Sequence, residues 1–154
     1  MNITALFISI LIAQAAGGVG SIFTANSVKV WYLTLIKPSF NPPSWVFGPV
    51  WTLLFVLMGT AAYLIWQKRG TAGVNLALAV YGTQLVLNAL WSYLFFGLHN
   101  PVLALVEIVF LWILILACVI LFYPISKTAS YLMIPYILWV SFAGVLNFFI
   151  WKLN

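Results

Sequence analysis

Residues 45–66 read WVFGPVWTLLFVLMGTAAYLIW, an apolar run with no charged side chain that begins and ends on tryptophan. A helix from Trp45 to Trp66 rises 1.5 Å per residue and is about 31 Å long, one hydrocarbon thickness. Indoles favour the membrane–water boundary, so the pair reads as interface anchors. Outward from this segment, hydropathy punctuated by Pro, Gly and charge gives spans at about 3–25, 45–66, 72–97, 101–123 and 129–151. The expected fold is an all-α integral membrane protein, a five-helix transmembrane bundle that forms one domain over residues 1–154.

The composition agrees. Of 154 residues, 66% are hydrophobic, 18% aromatic and only 5% charged, against about a quarter charged in soluble domains. Mean hydropathy is +1.17. The net charge of +5 sets six basic residues, Lys29, Lys37, Lys68, Arg69, Lys127 and Lys152, against a single acid, Glu107. Each basic residue falls between or after apolar runs, where cations meet headgroups, so the basicity points to membrane lipid and not to nucleic acid. The first span could be mistaken for a signal peptide, because Ala13, Gln14 and Ala15 mimic a cleavage site. Residues 2–10 contain no Lys or Arg, so it is read as a helix. The lone Cys118 excludes an intrachain disulfide and reads as a small buried hydrophobe.

The connections are short except for residues 26–44, which include Pro38, Pro42 and Pro43. Prolines fix φ and remove donors, so this stretch is expected to be a non-helical, stiff flap over one end of the bundle, side A. Side A also holds the turn at His99, Asn100 and Pro101 and the C-terminus. Lys and Arg are tied between the two sides, three each, so the charge count fixes no orientation.

Polar side chains inside a membrane usually face the bundle interior or a cavity. Gln84, Asn88 and Ser92 follow at four-residue spacing with Trp91 beside them, and Trp139, Ala143 and Asn147 repeat that spacing on the fifth span. The small Ala143 would leave a gap between an indole and an amide. Trp51, Phe55 and Met58 make a stripe on the second span. A cavity lined by indoles and amides under a proline-rich lid suits a flat, mostly apolar ligand; the alternative is that these polar groups glue helices together. Glu107 is open to a proton or cation role or to a purely structural one, and His99 reads as a loop residue. The stripe Ala13, Gly17 and Ser21, with Ala16 and Gly20, points to close packing within the bundle. Gly73 and Ala77 on the third span suggest a homodimer contact.

Carboxylate pairs, a Ser-His-Asp triad and two-metal chemistry need acids that this chain lacks. No phosphate-cradling G-x-x-x-x-G-K-[ST] sequence occurs, and one His and one Cys cannot build a zinc site, so no metal is expected. The remaining reactive equipment is eight tryptophans.

The flap and the start of the second span, Lys37-Pro38-Ser39-Phe40-Asn41-Pro42-Pro43-Ser44-Trp45-Val46-Phe47-Gly48-Pro49-Val50-Trp51, closely resemble the signature of the tryptophan-rich sensory protein family, also known as the translocator protein or peripheral-type benzodiazepine receptor family. Further matches are Asn88, Trp91, Ser92, Phe95, Phe96 and Gly97; Pro101, Ala104, Leu105 and Glu107; and Pro135, Tyr136, Trp139, Ala143, Leu146, Asn147 and Trp151. The resemblance implies a five-helix bundle, often dimeric, that binds porphyrins such as protoporphyrin IX and isoquinoline-carboxamide or benzodiazepine-type ligands. It implies a site of Tyr32, Pro42, Trp51, Phe55, Gln84, Asn88, Ser92, Trp139, Ala143 and Leu146, with Trp51 and Trp139 catalytic if the porphyrin is degraded under light and oxygen. The porphyrin is then ligand or substrate, and no separate cofactor is expected. A transporter of hydrophobic ligands, or a stress-signalling scaffold without catalysis, are the alternative functions. The segment Val145 to Lys152 lacks the tyrosine of the family's animal sterol motif, so sterol transport is not expected. The short chain suggests a bacterial cell membrane.

Overall fold

A computed structural model describes residues 2–154. Its helices are α1 (Ile3–Ser27), α2 (Trp31–Thr34), α3 (Ser44–Trp66), α4 (Val74–Ser92, continued by a π-helical turn Tyr93–Gly97), α5 (Pro101–Phe122), α6 (Lys127–Leu132) and α7 (Ile134–Leu153). Five segments are long and apolar enough to cross a membrane, the last of them α6 and α7 together. The chain is a five-helix membrane bundle.

Local chemistry sets the helix ends. Asn2, Asn100 and Ser126 each accept a hydrogen bond from the backbone N–H three residues on, capping α1, α5 and α6. Pro101 opens α5, where its missing N–H has no intrahelical partner to lose. The expected single fifth span is broken at Met133, because Pro135 has no N–H to continue the ladder of α6. The third span ends in a π turn in which the Leu98 N–H reaches the Tyr93 carbonyl at 2.8 Å, and His99 follows at φ 52°.

Two expectations need correction. The connection after the first span is not wholly extended: α1 runs on to Ser27, and Trp31–Thr34 make a further helical turn before the prolines begin, since that piece contains none. Gly73 and Ala77 do not share an exposed face. Gly73 stands outside α4 at φ 87°, whereas Ala77 is fully buried in this chain's own core with Val74 and Tyr81, so it offers nothing to a second copy.

Toward side B, Met58, Ala61 and Ile65 of α3 and Ile115, Cys118 and Phe122 of α5 are buried in one hydrophobic core. There α1 lies directly against α3: a Cβ on Gly59 would come 2.5 Å from the Ile10 Cα, and Ser9 donates to the Gly59 carbonyl at 2.7 Å. In a bilayer, where apolar burial gives helices no preference for one another over lipid, such close backbone approach and interhelical hydrogen bonds hold the bundle. Phe7, Ile22, Val86, Phe110 and Leu138 point outward to lipid. Trp45 is exposed at one end of α3, and Trp66 at the other carries the Arg69 guanidinium 4.1 Å above its ring.

Candidate functional site

Toward side A the helices part around a cavity of about 520 Å³. Its walls come from every long helix: Gly17 to Ala25 on α1 with Val28 and Lys29 just beyond it, Phe47 to Phe55 on α3, Asn88 to Phe96 on α4, Ile108 and Leu111 on α5, and Trp139 to Ile150 on α7. Of the ten expected site residues, Tyr32, Trp51, Phe55, Asn88, Ser92, Trp139, Ala143 and Leu146 line it, and Gln84 and Pro42 do not.

Gln84 lies one helical turn too deep. It is fully buried, accepting from the Tyr136 hydroxyl at 2.9 Å, while Asn88 donates to that same hydroxyl at 2.9 Å. This Gln84–Tyr136–Asn88 chain underlies the cavity, and only Asn88 reaches the wall. Pro42 acts through the lid: its carbonyl accepts from Asn41, whose Oδ1 accepts from the Tyr32 hydroxyl at 2.7 Å. Burial raises the Tyr32 pKa, with Asn41 offsetting part of it, so the phenol stays a neutral donor.

Aromatic rings dominate the walls. Trp51 stacks on Phe55 with centroids 5.6 Å apart and meets Tyr136 edge-on, and Trp139 packs against Phe47 and Phe142. Asn147 is already engaged, accepting from the Trp91 indole at 3.2 Å and donating to the Pro101 carbonyl at 2.8 Å. It ties three helices together and has little left for a ligand.

The lid is pinned at both ends. Trp31 stacks on His99 at 4.4 Å, and the Ser27 hydroxyl, 3.0 Å from the His99 ring, donates to the Phe96 carbonyl. At the far end Asn154 pairs with both backbone groups of Ile36, each at 2.9 Å, and Phe40 sits edge-on against Phe149. His99 is thus a tertiary contact and more than a loop residue.

The contribution of α1 was not legible as a wall. Gly17 and Gly20 do pack as expected, since a Cβ on either would run into the Phe55 ring or Ser92. Gly17, Gly18 and Gly20 all line the cavity, but Gly18, like Gly48 on α3, has nothing within 4 Å of a Cβ. A stripe of small residues reads the same whether it packs or lines. Glu107 is buried on the other side of α5, among Leu87, Leu90 and Leu94, with neither carboxyl oxygen hydrogen-bonded. It does not line the cavity. Among the described residues no group of three His, Cys, Asp or Glu could hold a metal.

The profile of the TspO/MBR family matches residues 9–152. The chain belongs to this family. Over 154 residues it is 48% identical to the tryptophan-rich protein TspO of Archaeoglobus fulgidus, covering 100% of this chain and 99% of that one. With the protein of the same name from Chlorobaculum tepidum it shares 46% identity over 157 residues, covering 99% and 98%. The human translocator protein is 38% identical over 138 residues, 88% of this chain and 82% of its own. Family membership and the five spans make this an integral membrane protein, and its bacterial relatives accord with the cell membrane.

Proposed function

We propose that this protein is a membrane receptor for tetrapyrroles such as protoporphyrin IX, which also admits flat aromatic carboxamides of the isoquinoline and benzodiazepine type. The observation that carries this is the convergence of Trp51 and Trp139, from α3 and α7, on one cavity with Asn88 and the small Ala143 also at its wall. Indole faces stack on a flat conjugated ring and exclude water from it, and a sparse set of polar groups orients it. Kinship with proteins named tryptophan-rich and translocator supports the same function. The ligand is bound cargo, and no cofactor is invoked.

A second function, light- and oxygen-dependent breakdown of the porphyrin, is favoured by the same two indoles, because an excited pigment held between them has an electron donor at contact distance. Titration with protoporphyrin IX in the dark, followed by illumination, separates the two. Saturable tryptophan quenching without conversion supports a receptor. Protein-dependent bleaching that Trp51→Phe or Trp139→Phe abolishes, with dark binding nearly intact, makes it an enzyme. Absence of saturable quenching contradicts both.

A further inference from the structure

The cavity has a direction. Its wall runs along α1 through Gly17, Ser21 and Thr24 and on through Val28 to Lys29 in the turn that follows the helix, from the level of the Phe55 ring to the headgroup end of side A. From Gly17 to Ser27 alone this is a rise of about 15 Å. The wall behaves as an apolar rail, because its hydroxyls are spent within α1: Ser21 donates to the Gly18 carbonyl at 2.7 Å and Thr24 to that of Gly20 at 3.0 Å. At its end stands Lys29, the one charged side chain among the lining residues.

Among the described residues no carboxylate forms a salt bridge with that ammonium. Glu107, the sole acid, lies behind α5 in a groove of leucines. The other cation of the lid, Lys37, is engaged: its Nζ donates to the Leu35 carbonyl at 3.1 Å and sits 4.8 Å above the Tyr32 ring. Lys29 has no hydrogen-bond acceptor among the described residues, and an ammonium carries three donors. A slot with apolar walls, a few amides and one unpaired cation at its wet end complements a flat apolar body that ends in an anion.

We propose that Lys29 recognises a carboxylate at the edge of the ligand, so that the cavity selects acidic amphiphiles and holds them with the charged edge at the side A surface and the ring between Trp51 and Trp139. This rests on the tetrapyrrole function proposed above and assigns it a polarity: protoporphyrin IX, with two propionates on one edge, would enter ring-first. The competing source of an anion at this height is a lipid phosphate, toward which a lysine at a helix end also extends.

The test compares the free diacid of protoporphyrin IX with its dimethyl ester, both titrated in the dark into protein held in discs of purely zwitterionic lipid. The wild type, Lys29→Gln and Lys29→Arg are each measured. The ratio of the two dissociation constants, compared between variants, cancels the different partitioning of acid and ester into lipid. We expect the wild type to prefer the acid by roughly tenfold more than Lys29→Gln does, the size of one partly desolvated charge-assisted contact. Lys29→Arg should keep the preference, and added salt should shrink it. An acid-to-ester ratio unchanged by Lys29→Gln, with saturable binding of both pigments, would overturn the role of Lys29, leave the tetrapyrrole function standing and return Lys29 to the headgroups. Saturable binding of neither pigment would overturn both.

Discussion

Gly59 on side B and the pair Gly18 and Gly48 on side A serve opposite ends in this bundle. On side B, Gly59 lets α3 touch the backbone of α1, leaving a would-be Cβ 2.5 Å from the Ile10 Cα. On side A, Gly18 and Gly48 have nothing within 4 Å of that position and border the cavity. The same pair of helices is therefore clamped at one end and parted at the other. A membrane bundle in which apolar burial favours no helix pairing can be tight or hollow according to where small residues find a partner. The aromatic residues follow suit: Tyr63 of side B accepts from the Asn2 N–H at 2.8 Å and from Gln67 at 2.7 Å, closing that end, whereas Trp51 and Trp139 of side A line the cavity.

The largest effect should come from attacking the clamp. Gly59→Val must push α1 off α3, since the obstacle is backbone and cannot rotate away. A loss of about 3 kcal/mol or more is expected, read as a drop in the thermal unfolding midpoint in detergent. An unchanged midpoint would mean that the two helices do not touch there. Next, Ala143→Leu should fill the hollow half. Dark affinity for protoporphyrin IX should fall by about tenfold or more, while unfolding barely shifts because the added atoms enter empty space.

Gln84→Leu sharpens the boundary between floor and wall. It removes the acceptor of the buried Tyr136 hydroxyl, a cost of about 1–3 kcal/mol in stability. Dark affinity should hold within about twofold, because Gln84 does not line the cavity; a selective loss of binding would place it there after all. Tyr32→Phe should cost about 1 kcal/mol in stability through loss of its bond to Asn41, seen as a small drop in the unfolding midpoint, with faster pigment release in stopped-flow dilution. Smallest of all is Gly18→Ala, which should alter stability by no more than about 0.5 kcal/mol, in contrast to Gly59→Val.

Much of this was legible in the chain. Hydropathy and the tryptophan anchors set the spans, and four-residue spacing put Asn88 with Ser92, and Trp139 with Ala143, on one cavity. Depth was not legible: Gln84 and Asn88 share a stripe, yet one turn decides which faces the hollow and which braces Tyr136. Nor was the meaning of the small residues on α1, since only the facing helix distinguishes Gly17 from Gly18. The π turn at Tyr93–Gly97 and the left-handed His99 depend on tertiary contacts with Ser27 and Trp31, far away in sequence. The rotation of Ala77 into the core is set by how α4 seats on its neighbours, which a pair of small residues does not encode.

The most direct test is the dark titration of the wild type and Ala143→Leu with protoporphyrin IX, following tryptophan quenching, with thermal unfolding of both measured alongside. Saturable quenching in the wild type that is lost or weakened by about tenfold in a normally folded Ala143→Leu is the predicted result. Equal affinity in the two proteins would show that the pigment binds elsewhere, and would contradict the assignment of this cavity as the site.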